Sequence, residues 1–274
     1  MLKQRIITAC ILFLILLVAV LGFSVFAFQL FVGLVLVLAA WEWSRLSGLL
    51  HLAGRVLYLA AFLALLYVIR EYQESSTFII SIGILWWLVA LTLIKLYPNL
   101  TNTWHRTPIL LGMGFAVLLP AWLSLIYLRD SADFRQYVFL FFAMVAAADI
   151  GAYFSGKKFG KHKLSPTVSP NKTWEGFAGG VLACCVVLWL ALPVIHQTSF
   201  ELGFGVFAIA TCGAALLAGY SVVGDLFESM MKRQADVKDS GTLLPGHGGV
   251  LDRIDSMTAA LPLYTWALMW AGLI

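Results

Sequence analysis

Charge is what this chain has least of. Only 12% of its 274 residues are Asp, Glu, Lys or Arg, against 61% apolar residues, and the mean hydropathy is +0.91. Those values exclude a water-soluble globular domain. Cysteine is scarce as well. Cys10, Cys184, Cys185 and Cys212 lie inside apolar runs with no C-x-x-C spacing, which argues against a disulfide framework or a zinc site. His51, His105, His162 and His196 match no metal pattern and read as loop or interfacial residues. There is no Walker A loop and no G-x-G-x-x-G, so neither a P-loop nor a Rossmann phosphate site is available. No cleavable signal is expected either, because the first apolar run flows straight into the second.

What the chain does have is long apolar runs, at about 6–22, 25–41, 52–69, 78–97, 108–128, 135–154, 174–194, 201–222 and 257–273. They predict an all-α polytopic membrane protein with about nine transmembrane helices. Placing the N-terminus in the cytoplasm leaves only Arg70, Arg129 and Arg135 of the 18 Lys and Arg residues outside. That asymmetry obeys the positive-inside rule. It puts both long polar segments, 155–173 and 223–256, on the cytoplasmic face. The net charge of +4 is then a topology signal, and a nucleic-acid partner is not expected.

The two halves differ. Residues 1–130 read as a helical scaffold with little concentrated chemistry, and Trp41, Trp43, Trp86, Trp87 and Trp104 read as interfacial anchors. Glu42, between two of them, is placed at the interface, with a polar cavity as the alternative. Residues 131–274 carry polar groups in and beside the spans, where they are costly enough to suggest function. Asp149 is such an intramembrane acid.

The densest stretch is Gly224–Ser256, where acids, bases and glycines alternate. Carboxylates hold divalent ions, Lys and Arg neutralise phosphates, and glycine admits close backbone approach. If the eighth span continues as a helix through Arg233, Ser221, Asp225, Glu228, Ser229 and Lys232 share one face. A loop with Lys238, Asp239 and the run Gly246-His247-Gly248-Gly249 follows, able to turn amides toward an anion. Asp252, Arg253 and Asp255 then open the last span. Asp225 and Asp252 fit the habit of magnesium, which takes one or two carboxylates plus water and substrate phosphates. Asp255 and Ser256 suit either capping or catalysis. In the other polar segment Ser169 reads as a helix N-cap with Pro170 at the first helical position. Lys172 there would supply charge for a phosphate, and Ser169 or Thr173 a hydroxyl.

The run S-x-x-K-R-x-x-x-x-K-D-x-G-x-x-x-P-G-H-G-G-x-x-D-R-x-D, from Ser229 to Asp255, resembles the signature of the CDP-diacylglycerol synthases (phosphatidate cytidylyltransferases). The segments S-P-N-K-T-x-E-G at 169–176 and A-D-I-G-A-Y at 148–153 are similar to that family too. The resemblance implies a magnesium-dependent enzyme, acting as a homodimer through its N-terminal half. It would join CTP to phosphatidate and release pyrophosphate and CDP-diacylglycerol. Asp225, Asp252 and Asp255 would hold magnesium, with a second cation possible at Asp255. Lys172, Lys232 and Arg233 would neutralise phosphates. Ser169, Asn171, Thr173, Glu228, Ser229, Lys238, Asp239, His247, Gly248, Gly249, Arg253 and Asp149 would line the substrates. The compact loops are similar to those of bacterial members, which places the chain in the bacterial plasma (inner) membrane. A CTP-dependent lipid kinase, a CDP-archaeol synthase and a transporter are the competing readings.

Overall fold

The computed structural model describes residues 2–71, 76–99, 101–195 and 203–274. His196 and the first two residues of the run 201–222 lie outside the described residues. The described chain is built of α1 (Leu2–Gly22), α2 (Val25–Leu46), α3 (Leu52–Glu71), α4 (Ser76–Leu96), the short α5 (Thr101–Trp104), α6 (Thr107–Arg129) and α7 (Phe134–Phe159). After these come a hairpin of β1 (Lys163–Ser165) and β2 (Ser169–Thr173), then α8 (Trp174–Ile195), α9 (Phe204–Gln234) and α10 (Leu251–Trp270). Among the described residues, seven helices, α2 to α4 and α6 to α9, are long and apolar enough to cross a membrane. The apolar part of α1, Ile6–Gly22, is shorter, and α10 opens on Asp252, Arg253 and Asp255 before its apolar stretch 257–273.

The break between the first two runs is a helix start. Ser24 takes extended geometry and its hydroxyl accepts the Ala27 amide at 3.2 Å, an ordinary N-cap. α9 is 31 residues long, on the order of 46 Å at 1.5 Å per residue. That exceeds a hydrocarbon core of about 30 Å, so the helix must project beyond it, as its sequence predicted.

Two expectations are corrected here. The segment from Ser169 does not begin a helix: β2 pairs antiparallel with β1, Ser165 opposite Ser169 and Lys163 opposite Thr173. Pro170 favours an extended residue before it, which suits Ser169 to a strand. The real N-cap is Thr173, whose Oγ1 accepts the Gly176 amide at 3.1 Å. The second concerns the tryptophans. Trp43, Trp87 and Trp104 are buried. Phe227 of α9 stacks on Trp43 and meets Trp86 and Trp87 edge-on, with ring centroids 5.8–6.1 Å apart. Trp43 Nε1 also donates to the Leu110 carbonyl at 2.7 Å. These rings form core beside the polar stripe of α9 instead of a belt.

α7 and α8 pack backbone to backbone. A Cβ on Gly151 would lie 2.6 Å from the Gly179 carbonyl oxygen, and one on Gly180 2.7 Å from that of Ala148. Small residues at these positions are what such close helix packing requires in a membrane. The pair holds Asp149 and the end of β2 at fixed places beside α9.

Candidate active site

α9 and α10 cross at Gly224, where an added Cβ would lie 2.5 Å from the Asp255 carbonyl oxygen. The crossing sets the acids of the two helices side by side. On α9 the polar stripe forms as the sequence predicted: Ser229 Oγ donates to Asp225 Oδ1 at 3.2 Å, while Ser221 and Glu228 are buried. Lys232 reaches Glu228 Oε2 one turn back at 2.5 Å and Asp252 Oδ1 of α10 at 2.6 Å. The stripe is therefore more than a set of intrahelical pairs, since it is bolted to the next helix. Glu228 Oε1 and Ser221 Oγ are buried with no hydrogen-bond partner.

Asp252 is fully engaged. Its Oδ2 accepts the Ser240 amide at 2.9 Å, the Ser240 hydroxyl at 2.9 Å and the Gly249 amide at 2.8 Å. Burial alone would raise this carboxyl, but the bonds from Lys232, Gly249 and Ser240 outweigh it and hold it below the usual aspartate range. Asp255 goes the other way. Burial and the charge of Asp225 push it up to about 7. Asp255 is thus within electrostatic reach of Asp225 and Lys232, while Asp252 is bonded directly to Lys232.

β2 brings Lys172 to Asp225 Oδ2 at 2.7 Å. Asp149, on α7, is within electrostatic reach of both. The segments around 149, 172, 225 and 255, far apart in the chain, converge at one place. Both members of the Lys172–Asp225 pair stay partly open, at 24% and 38% side-chain exposure, whereas Lys232, Glu228 and Asp252 are nearly closed to solvent.

The glycine loop folds differently from the open anion cradle the sequence suggested. The Leu244 amide donates to the Gly248 carbonyl at 2.9 Å across a tight turn, and Gly248 sits at φ +81°, a region costly for any residue with a Cβ. The next amides are already taken: that of Gly249 by Asp252, those of Val250 and Leu251 by Glu42 at 3.0 and 2.8 Å. Glu42 is the residue sequence reasoning missed. It is buried, at 3% exposure, and shares the Ser240 hydroxyl proton with Asp252 at 2.9 Å.

The remaining candidates lie around this centre. Arg233, Lys238, Asp239 and Arg253 are exposed, and among the described residues their side chains form no ion pair. Asn171 is exposed on the hairpin and Ser169 half-buried. Thr173 is buried under its capping role. His247 Nδ1 is buried without a partner. Among the described residues no three acidic, His or Cys side chains form a ready metal cage.

A helical membrane protein that gathers an accessible lysine–carboxylate pair, further acids and a rim of arginine and lysine near one end of its spans is suited to phosphate chemistry at a lipid surface. Comparison with known sequences is specific. The profile of the cytidylyltransferase family matches residues 3–270, and the chain belongs to that family. It is 45% identical to the phosphatidate cytidylyltransferase of Pseudomonas aeruginosa, over 99% of this chain and 98% of that protein. The phosphatidate cytidylyltransferase of Haemophilus influenzae is 39% identical over 97% of this chain and 98% of its own length. That of Brucella suis is 36% identical over 96% and 91%.

Proposed function

We propose that this chain is the enzyme that transfers the cytidylyl group of CTP to phosphatidate, giving CDP-diacylglycerol and pyrophosphate for phospholipid synthesis. Family membership and the names of the full-length relatives support the reaction. The structural observation that carries it is the open pair of Lys172 and Asp225 at 2.7 Å, which joins the 169–176 segment to the polar stretch Gly224–Ser256.

Both reacting groups are phosphates, so the protein needs to offset like charges more than it needs a nucleophile of its own. An oxygen of the phosphatidate phosphate forms a bond to the α-phosphorus of CTP. The bond from that phosphorus to the bridging oxygen breaks, and its electrons leave on pyrophosphate. Lys172 is the cation placed to exchange its carboxylate partner for a substrate phosphate. Arg233, Lys238 and Arg253 supply further exposed charge for the triphosphate. Lys232 works differently, neutralising Glu228 and Asp252 and fixing α9 to α10.

Asp225 and Asp255 are the carboxylates that would hold a divalent ion: Asp225 is partly open, Asp255 lies within its electrostatic reach, and a cation there would relieve their mutual repulsion. When bound there, magnesium would draw the phosphates together and ease departure of pyrophosphate. The enzyme acts as a homodimer in the bacterial inner membrane. Nine crossings and an N-terminus in the cytoplasm put the catalytic end on the side where CTP is found.

The test of the reaction is purified protein with CTP, magnesium and phosphatidate, the lipid product identified by mass. CDP-diacylglycerol with one pyrophosphate per turnover is expected. CDP with a newly phosphorylated lipid would assign a kinase, and unaltered lipid would refute the proposal. Topology has its own test, on a background lacking the four native cysteines. Cysteines at positions 161 and 238 should resist an impermeant thiol reagent in intact cells, while one at position 132 should react. Labelling of 161 and 238 from outside would reverse the orientation.

A further inference from the structure

The α2 acid Glu42 reaches across the molecule to the signature loop. Its Oε1 accepts the Val250 amide and its Oε2 the Leu251 amide, and Oε2 shares the single Ser240 hydroxyl proton with Asp252 Oδ2, all at 2.8–3.0 Å. These amides begin α10, where a helix leaves its first N–H groups without partners and favours a negative charge. Val250, at the cap position, has no side chain able to serve. Glu42 stands in from 208 residues away. The loop is shaped around it, since a Cβ on Gly241 or on Gly249 would collide with its carboxylate. Ser240 then passes the constraint on: its Oγ lies 2.9 Å from Glu42 Oε2 and 2.9 Å from Asp252 Oδ2. Asp252 in turn holds Lys232 at 2.6 Å.

We propose that Glu42 is a positioning residue for cytidylyl transfer, fixing Ser240 and the first turn of α10 so that Asp252 keeps Lys232 in place and α10 keeps its close crossing with α9 at Gly224. The inference rests on the reaction assigned above. Glu42 touches none of the reacting atoms in this scheme. It acts through the loop, so its loss should misplace groups that work in the transition state more than groups that bind the ground state.

Glu42→Gln is the sharpest probe. It keeps the shape but turns an NH2 group toward donors, so one of the three bonds is replaced by a clash of like partners. With the protein in mixed micelles, and rates divided by the amount of folded protein, kcat should fall about 10–100-fold, the range typical of lost outer-shell support. KM for CTP and for phosphatidate should stay within about threefold. Glu42→Asp, which keeps the charge, should recover part of kcat. Ser240→Ala leaves the amide caps intact and removes only the shared hydroxyl, so it should also lower kcat, and it serves if Glu42→Gln does not fold. The double variant should be little worse than the poorer single one, because both act along one chain of contacts.

Wild-type kcat per folded molecule in Glu42→Gln would overturn the proposal, as would a rise in KM alone or fully independent losses in the double variant. Absence of CDP-lipid from the wild type would instead refute the assigned reaction. Reduced thermal stability with unchanged turnover would leave Glu42 a helix cap and nothing more.

Discussion

Replacing Asp225 by Asn is expected to lower CDP-lipid formation on the order of a hundredfold or more, with little change in stability. The carboxylate sits between Lys172 at 2.7 Å and the Ser229 hydroxyl at 3.2 Å, and is 38% exposed. An ion pair that open contributes only about 0–1 kcal/mol to folding, so unfolding will not account for the loss. Asn preserves the outline but removes the charge that a cation would need. Asp255→Asn should behave in the same way, and Asp225→Asn with Asp255→Asn together should be little worse than either alone. Initial rates across a magnesium titration, with thermal unfolding as the control, provide the check. Additive losses that do not respond to magnesium would exclude a shared ion. Asp252→Asn should separate from both, because it also unties Lys232 and the Ser240 and Gly249 amides. It should lose stability along with activity.

Lys232→Met is the second large effect, and it is expected first in stability. Lys232 lies between Glu228 and Asp252, whose side chains are only 3% and 5% exposed. Phe227 and Met231, next to them on α9, are buried as well. Removing one member of a buried ionic group costs about 3–5 kcal/mol, because the remaining charges keep their desolvation penalty without their partner. Against a typical net stability of about 5–15 kcal/mol, much of the margin disappears. Adding Glu228→Gln should restore part of the stability by deleting one stranded charge, while leaving CDP-lipid formation low. Arg should not substitute well, since its planar fork is wider than an ammonium held at two short contacts. Unfolding temperature and product formation for the three variants provide the test. A wild-type unfolding temperature in Lys232→Met would mean the ionic group contributes nothing to the fold.

The parts of this molecule that could be read from the sequence are those whose logic is local. The stripe Ser221–Asp225–Glu228–Ser229–Lys232 follows from helical periodicity, and the length of the polar-ended α9 follows from its unbroken pattern. Lys172 and Asp225 could each be picked out, yet nothing in the chain says that they touch. Asp252 shows the limit of spacing arguments. Asp225 and Asp252 read as a pair of ligands, but the loop before α10 turns the Ser240 and Gly249 amides onto Asp252, which no spacing announces. Glu42 had still less to mark it, being one acid among tryptophans with partners 198 to 209 residues later. The Ser169 segment failed for a different reason: Ser-Pro suits an extended strand as well as a helix start, and only the pairing with Lys163–Ser165 decides.

The wide separation between Glu42 and its partners bears on how the chain is made. A ribosome makes α2 before the loop, so this carboxylate precedes its partners by 198 to 209 residues of synthesis. Its folded-state donors, Ser240, Val250 and Leu251, all belong to this later segment. The signature loop is therefore moulded late, against a surface already in place, and Lys232 and Asp252 acquire their final partners at nearly the same moment. A nascent chain stalled before residue 250 would hold the lysine and most of the acids of the catalytic end in an unlocked arrangement.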